Sequence, residues 1–138
     1  MGLSEVKFHR DGTLPTADET FVFGSNLAGR HGAGAARIAR EKVGAKYGLA
    51  SGLMGRSYAI PTKGHDLQSL SLNEIELHIR KFVAYTNSPT VIFLIGNFFV
   101  TRVGCGLAGY KDHQIAPMFR GASNCSFAVE WRPYLEEK

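Results

Sequence analysis

Cysteine is scarce in this chain, and long apolar runs are absent. Its two cysteines, Cys105 and Cys125, form no C-x-x-C pair, so the sequence lacks the spacing of a zinc ribbon or a dithiol redox motif. No metal and no cofactor is expected. The longest apolar run, Val91 to Ile95, is far too short to cross a bilayer. The first residues do not read as a signal peptide, because Glu5, Lys7, His9, Arg10 and Asp11 interrupt any apolar segment. These absences predict a cytoplasmic protein with no membrane partner. Repeats, low-complexity tracts and linkers are also lacking. The 138 residues therefore read as one domain spanning 1–138, with 44% hydrophobic residues and enough length to bury a core without staples.

Glycine, by contrast, is plentiful, and it clusters in two loops that each follow an apolar stretch. The first loop is Gly24-Ser25-Asn26-Leu27-Ala28-Gly29-Arg30-His31-Gly32-Ala33-Gly34, entered from Phe21-Val22-Phe23. The second is Thr101-Arg102-Val103-Gly104-Cys105-Gly106-Leu107-Ala108-Gly109-Tyr110. Glycine lets a backbone turn sharply and approach a ligand closely, and an N–H-rich turn that opens a helix holds anions. Two such loops suggest two walls around one phosphate-bearing ligand.

The first loop matches neither common nucleotide motif. It has no lysine and hydroxyl in a GxxxxGK[ST] frame, and no GxGxxG dinucleotide fingerprint. Asn26 stands just after the strand, where its amide suits a ribose hydroxyl or a carbonyl; an asparagine there equally suits a left-handed turn. Cys105, between two glycines, reads either as a small residue in a tight space or as a nucleophile, with His113 a short way downstream. His31 and His65 are either solvated loop histidines or acid/base groups. Arg30, Arg37, Arg40, Lys42 and Lys46 supply much of the formal net charge of +4, either as a solvated helix face or as a nucleic-acid contact.

Along the chain, a short strand is expected near Glu5 to His9, with a turn at Asp11-Gly12. Phe21 to Phe23 forms a second strand ending at Gly24. A helix follows from Gly32 through Ala33, Ala35, Ala36, Ile38, Ala39 and Val43, closed by Gly44 or Gly48. Residues 49 to 56 read as a loop, and Ser57 to Ile60 as a strand stopped by Pro61. Ser71 and Glu74 form a capping box for a helix whose apolar face is Leu72, Ile75, Ile79, Phe82 and Val83. Asn87-Ser88-Pro89 breaks it. Val91 to Ile95 reads as a central strand covered on both faces. A short helix within Asp112 to Phe119 and a final strand from Phe127 to Trp131 complete an alternating α/β order with a parallel or mixed sheet. Ligands of such sheets bind beyond the carboxyl ends of the strands.

Gly24-Ser25-Asn26 with Gly29, Gly32, Gly34, Ala35 and Ala36 resembles the first ligand loop of macrodomains. Thr101 to Leu107 resembles the second loop of macrodomains similar to the terminal ADP-ribose glycohydrolases, and Ile60-Pro61-Thr62-Lys63 adds a weaker match. The resemblance implies a three-layer α/β/α macrodomain-like fold with a mixed central sheet and an ADP-ribose cleft. By it, the first loop, with Gly24, Ser25, Asn26, Gly29, Gly32, Ala33 and Gly34, meets the distal ribose; His31 is a candidate to contact phosphate or activate water, and Thr62, from between the loops, is a further ligand-binding residue. Arg102, Gly104, Cys105, Gly106, Leu107, Ala108, Gly109 and Tyr110 wrap the diphosphate. Asn26 and Lys63 occupy the places of catalytic groups. Those glycohydrolases pair the lysine with a second-loop aspartate, where this chain has Ala108. Asp66 and Asp112 are the nearest substitutes in sequence.

Three functions follow as expectations. The first is binding of ADP-ribose, or a related NAD-derived nucleotide, coupled to hydrolysis of an ADP-ribosyl linkage. The second is a non-catalytic reader or sequestering module for ADP-ribose or an ADP-ribosylated macromolecule. The third is a small basic nucleic-acid-binding protein.

Overall fold

A computed structural model describes residues 6–29, 34–42 and 51–136. Its strands are β1 (Lys7–His9), β2 (Glu19–Asn26), β3 (Gly52–Met54), β4 (Ser57–Lys63), β5 (Asn97–Val100) and β6 (Cys125–Ala128). Its helices are α1 (Gly34–Lys42), α2 (Leu72–Thr86), α3 (Pro89–Leu94), α4 (Asp112–Ile115) and α5 (Arg132–Leu135). The sheet order is β1-β6-β5-β2-β4-β3. All neighbouring pairs are parallel except β3 against β4. The class is therefore α/β with a six-stranded mixed sheet.

Alternation along the strands divides the core into two clusters. Phe21 and Phe23 of β2, Ala59 of β4 and Phe99 of β5 pack with Ala36 and Ala39 of α1. Val22, Tyr58, Ile60, Phe98 and Val100 point the other way, onto Ile75, Ile79, Phe82 and Val83 of α2. Each fully buried side chain of this size contributes roughly 1.5–3 kcal/mol. Helices thus lie on both faces of the sheet, and α2 opens with the expected box: Ser71 Oγ accepts from the Glu74 amide, and the Glu74 carboxylate accepts from the Ser71 amide.

Several expectations are corrected. Val91 to Ile95 is not a central strand. Ser88 caps a helix whose first residue is Pro89, a pairing that favours helix initiation. Val91 and Ile95 lean on the core while Ile92, Phe93 and Leu94 face outward. The central strand is instead β5, beginning at Asn97. The last strand covers Cys125–Ala128, and Val129–Trp131 turns into a 3-10 helix that buries Trp131 completely. Pro61 does not stop β4, which continues to Lys63. The partner β3 pairs with β4 only as far as Ala59, and Ser69 and Leu70 bond β4 again at Lys63 and Thr62, so Pro61 falls in a gap between pairings that tolerates a missing N–H. Residues 49–56 are not all loop: Gly52–Met54 is β3, joined to β4 through a two-residue turn at Gly55-Arg56 in which Gly55 has φ +57°.

Other boundaries shift. β2 is longer than Phe21 to Phe23, and Asp112 to Phe119 divides into α4 and a 3-10 turn, Ala116–Phe119, where Pro117 falls in the first turn. Glu5, the start expected at Gly32 and Ala33, and the end expected at Val43, Gly44 or Gly48 lie outside the described residues. No described helix is long and apolar enough to cross a membrane.

Candidate functional site

β2, β4 and β5 run parallel, so their carboxyl ends reach one edge of the sheet. Beyond that edge lies a cavity of about 790 Å³. Gly24, Ser25 and Asn26 line it from the end of β2, Gly34 from the start of α1, Thr62 and Lys63 from β4, and Arg102 and Gly104 to Ala108 from the second loop. The two ends of the first glycine-rich segment and the second loop, some eighty residues apart in sequence, therefore share one cavity, while Leu27, Ala28 and Gly29 do not line it. Of the other expected residues, Gly29 is buried away from the lining, and neither Gly109 nor Tyr110 lines it. The Tyr110 hydroxyl instead donates to the Leu70 carbonyl. His31, Gly32 and Ala33 lie outside the described residues, as do Arg30 and Lys46.

Asn26 and Lys63 are register partners across β2 and β4, after a shift in register between Ser25 and Asn26. The Leu27 amide donates to the Lys63 carbonyl at 2.8 Å, and the Thr62 hydroxyl donates to the Ser25 carbonyl at 3.2 Å. Backbone bonding thus fixes both side chains at the rim. Beyond Lys63, a turn from Gly64 to Ser69 crosses to the second loop, where Ser69 Oγ donates to the Ala108 carbonyl at 2.6 Å.

The second loop comes close to β2 because neither strand end nor loop carries a side chain at the contact. A Cβ on Gly24 would lie 3.5 Å from the Gly104 amide nitrogen and 3.3 Å from Thr62 Oγ1. Gly104 has φ +77°, and a Cβ there would meet Ile115 at 3.3 Å. Gly106 differs: a Cβ on it would meet nothing within 4 Å. The exposed Leu107 at the tip reaches back towards the first loop, with Cδ1 3.8 Å from where a Gly34 Cβ would stand.

One ionic cluster anchors that loop. The Arg102 guanidinium donates to both oxygens of Asp112, from Nε at 3.0 Å and Nη2 at 2.7 Å, and to Asp11 at 3.3 Å. Trp131 Nε1 donates to Asp112 at 2.7 Å. Burial pushes Asp112 up, but the hydrogen bonds from Arg102 and Trp131 and the Arg102 charge outweigh it and hold the carboxyl below its usual range. Bonding to Asp112 raises Arg102 in turn. The Cys105 thiol is pushed up to about 12 by burial first and by the Asp112 charge second. Cys105 is therefore a protonated thiol and not an activated nucleophile. His113 and His65 are exposed. Asp112 is committed to Arg102 and Trp131, while Asp66 accepts from the Gln68 amide at 3.0 Å within its own turn.

The other half of the lining is a set of residues that the sequence reading did not place there. Asp11, Gly12, Thr13 and Leu14, in the turn after β1, form one wall; His9, Phe21 and Phe99 form the floor and Ile38 of α1 adds to the apolar side. The His9 ring stacks on Phe99 with centroids 3.7 Å apart, across the small Ser126 of β6, whose hydroxyl meets His9 Nδ1 at 2.7 Å. Burial lowers the His9 pKa despite opposing charges on Glu19, Asp11 and Glu130. The Asp11-Gly12 turn was visible in sequence, but nothing local told where it would dock. Residues 104–109, Gly-Cys-Gly-Leu-Ala-Gly, do satisfy the G-x-G-x-x-G spacing that the first loop lacks. They do not form the usual strand-turn-helix, because the helix that follows starts only at Asp112 and lasts four residues.

No protein-family model, curated protein or solved structure matches the chain at a significant level.

Proposed function

We propose that this domain is macrodomain-like, with the three-layer α/β/α arrangement, and that its cavity binds ADP-ribose or a related NAD-derived nucleotide. The observation that carries this reading is the cavity at the carboxyl ends of parallel strands, lined by the glycine-containing end of β2, the start of α1 and the second glycine-rich loop. Backbone from Gly104 to Ala108 is offered to the phosphates, with Lys63 as a point charge at the rim. Asn26 is offered to the ribose hydroxyls. The aromatic floor of His9, Phe21 and Phe99 suits the flat base at the other end.

Of the two forms of this reading, binding without lysine-based hydrolysis is favoured by the carboxylates. Ala108 stands where the related glycohydrolases carry an aspartate, and Asp112 is held by Arg102 and Trp131. Turnover, where it occurs, is assigned to a water organised by Asn26 and loop backbone. Nucleic-acid binding is the weaker reading, since Arg37 in the basic segment is paired with Glu41 at 2.9 Å.

Thermal denaturation with ADP-ribose, NAD and AMP tests the proposal. A ligand at a hundred times its dissociation constant adds about 2.7 kcal/mol of stability. ADP-ribose is expected to give the largest shift. A protein that none of the three nucleotides stabilises at millimolar concentration is not a nucleotide binder of this kind.

A further inference from the structure

The turn that follows Lys63 has an unusual occupant. Gly64 to Gln68 closes as a three-residue hairpin loop: the Leu67 amide donates to the Gly64 carbonyl at 3.0 Å, and the Gly64 amide donates to the Gln68 carbonyl at 2.8 Å. Lys63 and Ser69 bridge beneath it. Such a loop needs its third residue in the left-handed conformation, a place for glycine or asparagine. Here that residue is Leu67, with φ +65°. Among the described residues the other non-glycine at positive φ is Asn124, of a type that adopts it readily. A leucine there costs conformational free energy, and its surroundings hold it in place. Asp66 accepts from the Gln68 amide at 3.0 Å, and Ser69 Oγ donates to the Ala108 carbonyl at 2.6 Å.

Core packing does not explain the leucine. Leu67 belongs to neither core cluster and is 38% exposed. It lines the cavity instead, four positions beyond Lys63 in the chain. This is the side of the cavity on which Asn26 is offered to the ribose hydroxyls. Leucine gives a sugar no hydrogen bond. What it adds over the glycine that the backbone favours is volume.

Resting on the nucleotide reading above, we propose that Leu67 is a specificity-determining residue. It occupies the space beyond the distal ribose. The site therefore accepts ADP-ribose whose distal sugar is unsubstituted and turns away forms that carry a group on that sugar. The bond from Ser69 to Ala108 keeps the turn from swinging aside to make room. The ligand class narrows to free ADP-ribose, against NAD or an ADP-ribosylated chain.

Titration calorimetry of the full chain with ADP-ribose and with NAD tests this, because NAD is ADP-ribose with nicotinamide on the distal ribose. The wild type is expected to bind ADP-ribose about tenfold tighter than NAD or more. In Leu67→Gly, NAD is expected to bind about fivefold tighter than to the wild type, while ADP-ribose stays within about twofold, so the preference narrows. Glycine accepts the +65° φ, and the variant is expected to keep the wild-type circular dichroism spectrum. Leu67→Ala, which also removes the bulk, is read by the same ratio should Leu67→Gly prove misfolded. A folded variant that keeps the wild-type preference overturns the proposal, and so does a wild type that binds both nucleotides equally; in either case ADP-ribose binding itself stands. A wild type that binds neither nucleotide overturns the nucleotide reading and this proposal with it.

Discussion

Asn26 and Lys63 stand opposite each other in register where two parallel strands end, with the Leu27 amide bonded to the Lys63 carbonyl at 2.8 Å. The two lie thirty-seven positions apart in the chain, and the β2–β4 ladder sets both at the cavity rim. Their roles differ in the present account, and separate substitutions distinguish them. Lys63→Ala is expected to weaken ADP-ribose binding about tenfold, with the loss shrinking as salt rises, as for an ammonium acting on phosphate. Any turnover at saturating substrate is expected to persist. A variant with wild-type affinity and no turnover would instead make the lysine a reacting group. Asn26→Ala is expected to lose about 0.5–1.5 kcal/mol of binding for each ligand hydrogen bond removed.

Asp112 is predicted to matter for folding rather than chemistry. Asp112→Ala leaves the indole N–H of the fully buried Trp131 without its acceptor and the Arg102 guanidinium with Asp11 alone. The expected destabilisation is ~1–3 kcal/mol, read from a urea midpoint. A stable Asp112→Ala protein whose turnover alone is lost would contradict the anchoring role and return the carboxylate to catalysis.

The second glycine loop was legible because its signal is local, a cluster of small residues following an apolar stretch, whereas the first was read as starting at Gly24 although β2 runs on to Asn26. The Ser71–Glu74 box was legible for the same reason. Val91 to Ile95 was not, because five apolar residues carry no periodicity that separates strand from helix. The Ser88-Pro89 pair that looks like a breaker also serves as a helix start. The floor of the cavity was hidden more deeply. His9 meets Phe99 only because β6 comes between β1 and β5 and contributes the small Ser126 at that point. Strand order of that kind is a long-range property that no window of sequence contains.

Lowering the pH is expected to destabilise the domain in the histidine range. Burial lowers the folded-state pKa of His9, and burial together with Lys81 lowers that of His78. The unfolded chain therefore binds protons more readily than the folded one. Stability should be flat above about pH 7 and fall as pH drops below the ordinary histidine value of about 6.5. Asp112 and Asp18, both lowered, lose their contribution only in the more acidic carboxylate range. Urea midpoints at pH 7.5, 6.5 and 5.5 check the sign, and His9→Gln should flatten part of the slope. Stability that rises on acidification through this range would be incompatible with a His9 whose pKa is lowered on folding.

Gly104→Ala is expected to lose stability by about 1–2 kcal/mol, since alanine is strained at positive φ. Its Cβ would also press on Ile115, 3.3 Å away. Thermal denaturation without ligand measures this, and an unchanged midpoint would mean that the loop relaxes at no cost.

The cavity's assignment is tested most directly through Gly106, a lining residue at which an added Cβ would meet nothing within 4 Å. Titration calorimetry of ADP-ribose into the wild type and into Gly106→Val is the measurement. Saturable binding by the wild type is expected, with the valine variant folded, equally stable and at least tenfold weaker, a difference of about 1.4 kcal/mol or more. Equal affinity in the two proteins, or no heat of binding in the wild type, would contradict the assignment.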